Sequence, residues 1–264
     1  MYAAADHTFA VCAYGESPYL ATCLRSVTSQ QAQSRVICCT ATPSPGIERA
    51  CAEARVPLYV NGARPSIAGD WNFAVEQAVT PLVTIAHQDD VYLPNYASVM
   101  LEAVNAARDP LIFFSDYAEL RDGGHVVEEN RLLGVKRLLL SPLKVKGLAT
   151  SKLVRRRILS LGSAICCPSV TLVTPRLPTT VFLSGLGSNL DWEAWERVSR
   201  LDGSFVYAPQ VLMHHRIHGG SETSRLIEND ERTREDQMMF ERFWPRPVAH
   251  AINRLYRSAQ NSNR

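Results

Sequence analysis

Along the first 115 or so residues, short apolar runs alternate with stretches whose apolar positions recur at helical spacing. Residues 8–13, 35–40, 56–61, 82–86 and 111–115 read as strands, and 19–31, 47–54, 70–78 and 95–108 as helices. Strands such as Leu82, Val83, Ile85 and Ala86 are apolar on both faces, the signature of a sheet covered on both sides. Repeated β-α-β units with short connections predict an α/β fold with a doubly wound, mostly parallel sheet flanked by helices. Past Asp116 the pattern changes. Residues 117–120 and 125–128 flank Arg121-Asp122-Gly123-Gly124 as a hairpin, and two helices punctuated by Pro142 and Gly147 follow. Then come a strand at 170–173, a helix at 191–201, strands at 205–207 and 212–217, and helices at 228–243 and 248–258 before a polar tail.

The 82–86 strand runs directly into His87-Gln88-Asp89-Asp90-Val91-Tyr92-Leu93-Pro94. Ligands of open α/β sheets sit beyond the carboxyl ends of the strands, so Asp89 and Asp90 mark the expected site. Adjacent carboxylates repel, and a divalent cation relieves that repulsion while holding a diphosphate. A helix cap or a turn is the plainer use of either acid. The turn after the first strand, Ala13-Tyr14-Gly15-Glu16-Ser17-Pro18, lacks GxGxxG, and no GxxxxGK[ST] occurs, so dinucleotide and P-loop sites are disfavoured.

Two further clusters carry possible chemistry. In Asn189-Leu190-Asp191-Trp192-Glu193-Ala194-Trp195-Glu196, the tryptophans fall at core spacing and Asp191 sits in the first helical turn, where a carboxylate is favoured as a cap. Paired with Asp89 and Asp90, the same Asp191 is instead a candidate base, with Glu193 and Asp116 next in line. In Met213-His214-His215-Arg216-Ile217-His218-Gly219-Gly220-Ser221, strand alternation puts His214, Arg216 and His218 on one face, suited to diphosphate oxygens.

A hydrophobic content of 46%, a charged content of 20% and a net charge of +2 suit a globular protein and give no reason to expect nucleic acid. Charge is uneven, however: between Arg131 and Leu190 there are ten basic residues (Arg131, Lys136, Arg137, Lys144, Lys146, Lys152, Arg155, Arg156, Arg157 and Arg176) and no acid. Interleaved leucines make 131–157 a candidate interfacial helix pair for an anionic membrane. The leucines packing inward is the competing reading. Seven cysteines without a CxxC pair fit a reducing cytosol and exclude a ribbon-type zinc site. The first residues lack a signal-peptide pattern, and no apolar run approaches the ~20 residues of a membrane span, so a cytoplasmic location at the inner membrane face is expected.

Taken in order, Ala13-Tyr14-Gly15-Glu16, Gly69-Asp70-Trp71-Asn72, Gln88-Asp89-Asp90, Ser115-Asp116, Leu190-Asp191-Trp192-Glu193 and Arg216-Ile217-His218 resemble the inverting family 2 glycosyltransferases of the GT-A fold, over about residues 8–224. The resemblance implies one GT-A-like domain over 1–264, with 1–118 binding the nucleotide-sugar and 119–264, ending in helices, facing the acceptor. It implies Mg2+ or Mn2+ held by Asp90 and His218, with Ala13, Tyr14, Glu16, Asp70, Asn72, Gln88, Asp89 and Arg216 around a UDP-, dTDP- or GDP-sugar. Tyr14 would pack on the base, Asp89 would reach the ribose or a metal-bound water, and Asp191 would be the catalytic base. A saccharide or lipid-linked acceptor in bacterial surface polysaccharide or glycolipid synthesis is the implied setting. Three positions depart from the family pattern: His87 replaces the first acid of DxDD, Cys39-Thr40-Ala41-Thr42 lacks an acid, and Leu190 stands where Glu is usual. A nucleotidyltransferase and a non-catalytic nucleotide-sugar-binding scaffold are the rival readings.

Overall fold

The computed structural model describes residues 1–145, 147–218 and 230–261. Lys146, Gly219, Gly220 and Ser221 therefore lie outside the described residues, as does the start expected for the helix at 228–243. The strands are β1 (His7–Ala13), β2 (Arg35–Thr40), β3 (Leu58–Val60), β4 (Leu82–His87), β5 (Val91–Tyr92), β6 (Pro110–Arg121), β7 (His125–Val127), β8 (Val170–Val173) and β9 (Ser204–Arg216). The helices are α1 (Leu20–Thr28), α2 (Pro45–Ala54), α3 (Ile67–Ala78), α4 (Tyr96–Ala106), α5 (Arg131–Leu140), α6 (Lys152–Arg157), α7 (Leu190–Val198), α8 (Asp230–Glu241) and α9 (Arg246–Asn261).

One sheet runs β3-β2-β1-β4-β8-β6-β9-β5, with β7 paired to β6. Its first four strands are parallel, as the β-α-β pattern requires. The remainder is mixed. β8 inserts antiparallel between β4 and β6, and β5 lies antiparallel to β9. A four-residue strand with no crossover helix of its own carries no sequence signal of its direction. Strands from beyond residue 118 thus sit between and beside strands from before it.

β6 continues from Pro110 to Arg121, joining the expected 111–115 and 117–120 strands. Likewise β9 is one strand where two were expected: Ser115 faces Ala208 while Asp116 faces Val211, so Pro209 and Gln210 bulge out of the ladder. Period-2 alternation divides the core. On β6, Phe113 joins the cluster with Phe9, Leu24, Tyr96 and Met100 beneath α1 and α4, whereas Phe114 joins Trp192, Trp195, Phe205 and Phe240 beneath α7 and α8. Trp192 and Trp195 are almost wholly buried, in keeping with their helical spacing.

The basic stretch folds mostly as expected but faces differently. Arg155 is fully buried and donates to the Leu201 carbonyl. Arg156 pairs with Glu196 and stacks on Phe243, and Arg157 lies over Trp244. The expectation that this triplet meets a membrane is corrected for Arg155, which is buried, and for Arg156, which with Arg197, Arg200 and Arg242 supplies the cations that buried Glu193 and Glu196 need, while Arg157 stays exposed. Val135, Leu138, Val145, Leu148 and Leu153 remain exposed, near exposed Arg131, Lys144 and Lys152.

Candidate active site

Parallel pairing places Cys12 of β1 opposite His87 of β4, so the segments leaving both strands emerge side by side. Gln88 uses that proximity: its Oε1 accepts from Tyr14 N (3.1 Å) and its Nε2 donates to the Tyr14 carbonyl (2.9 Å). The Gln88 amide therefore holds the backbone of Tyr14, whose ring is half exposed at the sheet edge. Gly15, at φ +59°, donates to Thr42 Oγ1 and turns the chain there.

The end of β9 descends on the two acids. Pairing of Val91 with His214 sets the register, and His215 Nδ1 then lies 3.0 Å from Asp90 Oδ1, which also accepts from Arg216 N at 2.9 Å. Arg216 Nε donates to the Asp89 carbonyl (2.8 Å), while its guanidinium sits over the Tyr19 ring. His218 Nε2 is 3.0 Å from Asp89 Oδ2. The single face predicted for His214, Arg216 and His218 is corrected at His214: Arg216 and His218 both meet Asp89, but His215 rather than His214 takes the place beside Asp90. β9 ends at Arg216.

Burial works against ionising Asp89, but His87, the His218 hydrogen bond and His215 outweigh it and hold its carboxyl below the usual range. His215 is shifted the other way. Burial lowers it, yet the charge and hydrogen bond of Asp90 raise it above the ordinary imidazole value. Burial pulls His87 below that value, against the charges of Asp90 and Asp89.

Among the described residues, the groups that could share a cation are His87, Asp89 and Asp90, with one ligand atom of each lying within 4.8 Å of the others. His218, expected as a ligand, backs Asp89 rather than joining this trio. A divalent ion fits the trio on one observation: Asp90 Oδ2 and His87 Nε2 are both buried without a hydrogen-bond partner.

Asp191 opens α7. Its Oδ1 accepts from Trp192 N at 2.7 Å, so the acid satisfies a free amide of the first turn, although the cap position belongs to Asn189. Burial also raises its carboxyl, against the opposing pull of the Trp192 amide, Lys136 and Arg232. Burial first, and then the charges of Asp90 and Asp191, push the Cys166 thiol up. Glu235 of α8 fixes that end of α7 by accepting from the backbone amides of Gly187, Ser188 and Asn189. The alternative bases are engaged elsewhere: Glu193 with Arg197 and Arg242, and Asp116 with the Tyr207 hydroxyl (2.5 Å) and Arg137 (3.3 Å).

The other expected contacts divide. Asp70 accepts from Asn61 Nδ2, and Glu16 lies against Gly46, both near the ends of the first strands. Asn72 spends its whole amide on the backbone of Phe182, donating at 2.7 Å and accepting at 3.1 Å. Sequence reasoning missed His215, whose neighbour in the histidine pair looked equivalent, and Trp71, which stacks on His87 with centroids 5.2 Å apart.

Residues 8–158 match the family described as Glycosyl transferase family 2. The chain belongs to that family. No curated protein matches the sequence. Among solved structures, S. aureus TarS 1–349 in complex with UDP-GlcNAc superposes with a TM-score of 0.60 at 15% identity, covering 94% of this chain and 70% of that one. The mannosyltransferase PcManGT from Pyrobaculum calidifontis, in complex with GDP-Man and Mn2+, gives 0.58 at 15% identity over 93% and 68%. Glucosyl-3-phosphoglycerate synthase from Mycobacterium tuberculosis gives 0.53 at 13% over 84% and 77%. At such identities the likeness establishes the fold, and this family 2 glycosyltransferase has the GT-A arrangement.

Proposed function

We propose that this family 2 glycosyltransferase moves a sugar from a nucleotide-sugar to an acceptor hydroxyl with inversion. The observation that carries the reading is Asp191: a carboxyl raised by burial, in the first turn of α7 and on a different element from Asp89 and Asp90. A base needs a proton affinity raised toward that of its task and a place separate from the leaving group, and the raised Asp191 carboxyl on α7 supports that assignment. In this reading Asp191 takes the proton of the acceptor hydroxyl, whose oxygen attacks the anomeric carbon opposite the diphosphate. One base suffices, since no second carboxylate serves as nucleophile.

Asp89, Asp90 and His87 would hold Mg2+ or Mn2+, which supplies neutralisation of the diphosphate as it leaves. Arg216, beside Asp89, would add a cation to the same group. Tyr14, presented by Gln88, would lie under the base. PcManGT, solved with GDP-Man and Mn2+, supports a nucleotide-sugar and a metal. A panel of UDP-, dTDP- and GDP-sugars, each with Mn2+, tests the reading by thermal stabilisation followed by donor turnover. Stabilisation without turnover on any acceptor would favour the non-catalytic scaffold.

The acceptor side carries the exposed Val135, Leu138, Val145, Leu148 and Leu153 among Arg131, Lys144 and Lys152. This surface supports presentation of a lipid-linked acceptor at an anionic membrane, with each basic residue worth about 1 kcal/mol there. No described helix is long and apolar enough to cross a membrane, so such contact would be peripheral.

A further inference from the structure

We infer that His87 binds the divalent cation directly through Nε2, and that this nitrogen makes the site select Mn2+ over Mg2+. The inference rests on the proposed metal-assisted donor site and adds to it the identity of a ligand and of the ion. Where the family pattern has a carboxylate, this chain has an imidazole, and the structure shows what that imidazole faces.

His87 Nε2 is shut off from solvent and bonds to nothing, although an unpaired buried polar atom is costly. Asp90 Oδ2, on a side chain with 0% exposure, is in the same condition. These two atoms do not bond to each other, yet the trio's ligand atoms all fall within 4.8 Å. Two donors on opposite sides of a small divalent ion stand roughly 4.2 Å apart, so the spacing of the trio suits one shared ion.

The surroundings aim the pair. Asp90 Oδ1 is fixed by His215 and by Arg216 N, which leaves Oδ2 as the oxygen open to a ligand. The Trp71 ring stacks on His87 at an interplanar angle of 24°, limiting its rotation. Supporting groups of this kind set ligand orientation and are worth about 10- to 100-fold in metal affinity.

The donor type then decides the ion. Mg2+ demands near-ideal octahedral oxygen ligands and keeps several waters, so a fixed nitrogen is a poor ligand for it. Transition ions accept imidazole, and Mn2+ is the first of that series and also accepts the carboxylates of Asp89 and Asp90.

Pulsed electron paramagnetic resonance of the full chain loaded with Mn2+ alone tests this directly. The wild type is expected to show the coupling of a directly bound imidazole nitrogen. That coupling should vanish in His87→Ala, with Mn2+ affinity down at least about tenfold, and persist in His218→Ala. In His87→Asp the nitrogen signal should be lost while Mn2+ still binds, and Mg2+ should compete about tenfold better than in the wild type. Failure of Mn2+ to bind the wild type, a wild-type spectrum without nitrogen coupling, or coupling unchanged in His87→Ala would overturn the assignment. The wild-type spectrum decides even if a variant misfolds. Donor turnover measured in parallel keeps the outcomes apart: turnover without nitrogen coupling defeats this inference and leaves the transferase reading standing.

Discussion

His215 reaches Asp90 across 125 positions of sequence, its Nδ1 3.0 Å from a carboxylate with no solvent exposure. Because Asp90 raises the folded-state value of His215 above 6.5, the stability this contact brings is fully present below that pH. It is lost as pH rises through the raised folded value. The metal-free protein should therefore melt at progressively lower temperature above about neutral pH. His215→Gln should flatten that profile and cost about 1–3 kcal/mol at pH 6, read by thermal unfolding across a pH series. A parallel, undisplaced profile would show that His215 does not sense Asp90.

Asp191→Asn separates chemistry from fold. Turnover should drop about 10²-fold or more, with donor affinity within a few fold, because asparagine cannot accept the proton. The variant should also be more stable at neutral pH, since burial disfavours the charged form and an amide oxygen can still accept from Trp192 N. That gain should shrink as pH falls toward the ordinary carboxylate value, where the wild-type side chain is protonated as well. Loss of stability at pH 7 would assign Asp191 to capping.

Asn72→Ala removes both hydrogen bonds to Phe182. A loss of about 1–3 kcal/mol in denaturant unfolding is expected, with donor affinity changed only a few fold. A collapse of nucleotide-sugar affinity with stability intact, measured by calorimetry, would return Asn72 to the donor site.

Gln88→Ala tests how Tyr14 is placed. With its backbone clamp removed, Tyr14 should lose its fixed position and donor affinity should fall about 5- to 10-fold, whereas kcat at saturating donor should change little. Equal loss in Gln88→Ala and in the double variant with Tyr14→Ala would show that the clamp acts through that ring; additive losses would show that it does not.

For the membrane surface the informative variants are Leu138→Ser, Leu153→Ser and Lys144→Ser, all at exposed positions. Together they should reduce cosedimentation with anionic vesicles at low salt and leave thermal stability within about 0.5 kcal/mol. Replacing Arg155 and Arg156 is uninformative about lipid, because their buried contacts to Leu201 and Glu196 would be broken. Equal recovery of the wild type in the supernatant with neutral and anionic vesicles would remove the membrane contact.

From its residues alone this chain determined its parallel half and the place of its acids. The apolar runs ending at Ala13 and His87 and the amphipathic segments between them dictate a β-α-β layer, because period-2 and period-3.6 patterns are local properties. Strand context alone puts Asp89 and Asp90 at the carboxyl edge. Tertiary structure decided the rest. The direction of β8, the bulge at Pro209 and Gln210 and the union of two expected strands into β9 depend on which neighbours need backbone partners, and no local pattern encodes that. The same holds for His215 over His214: which histidine meets Asp90 follows from the register between β5 and β9. Arg155 and Arg156 looked like surface charge until the Leu201 carbonyl and Glu196, some 40 or more positions away, were folded against them. A buried carboxylate and a buried carbonyl each require a donor, and only the folded chain decides which residue provides it.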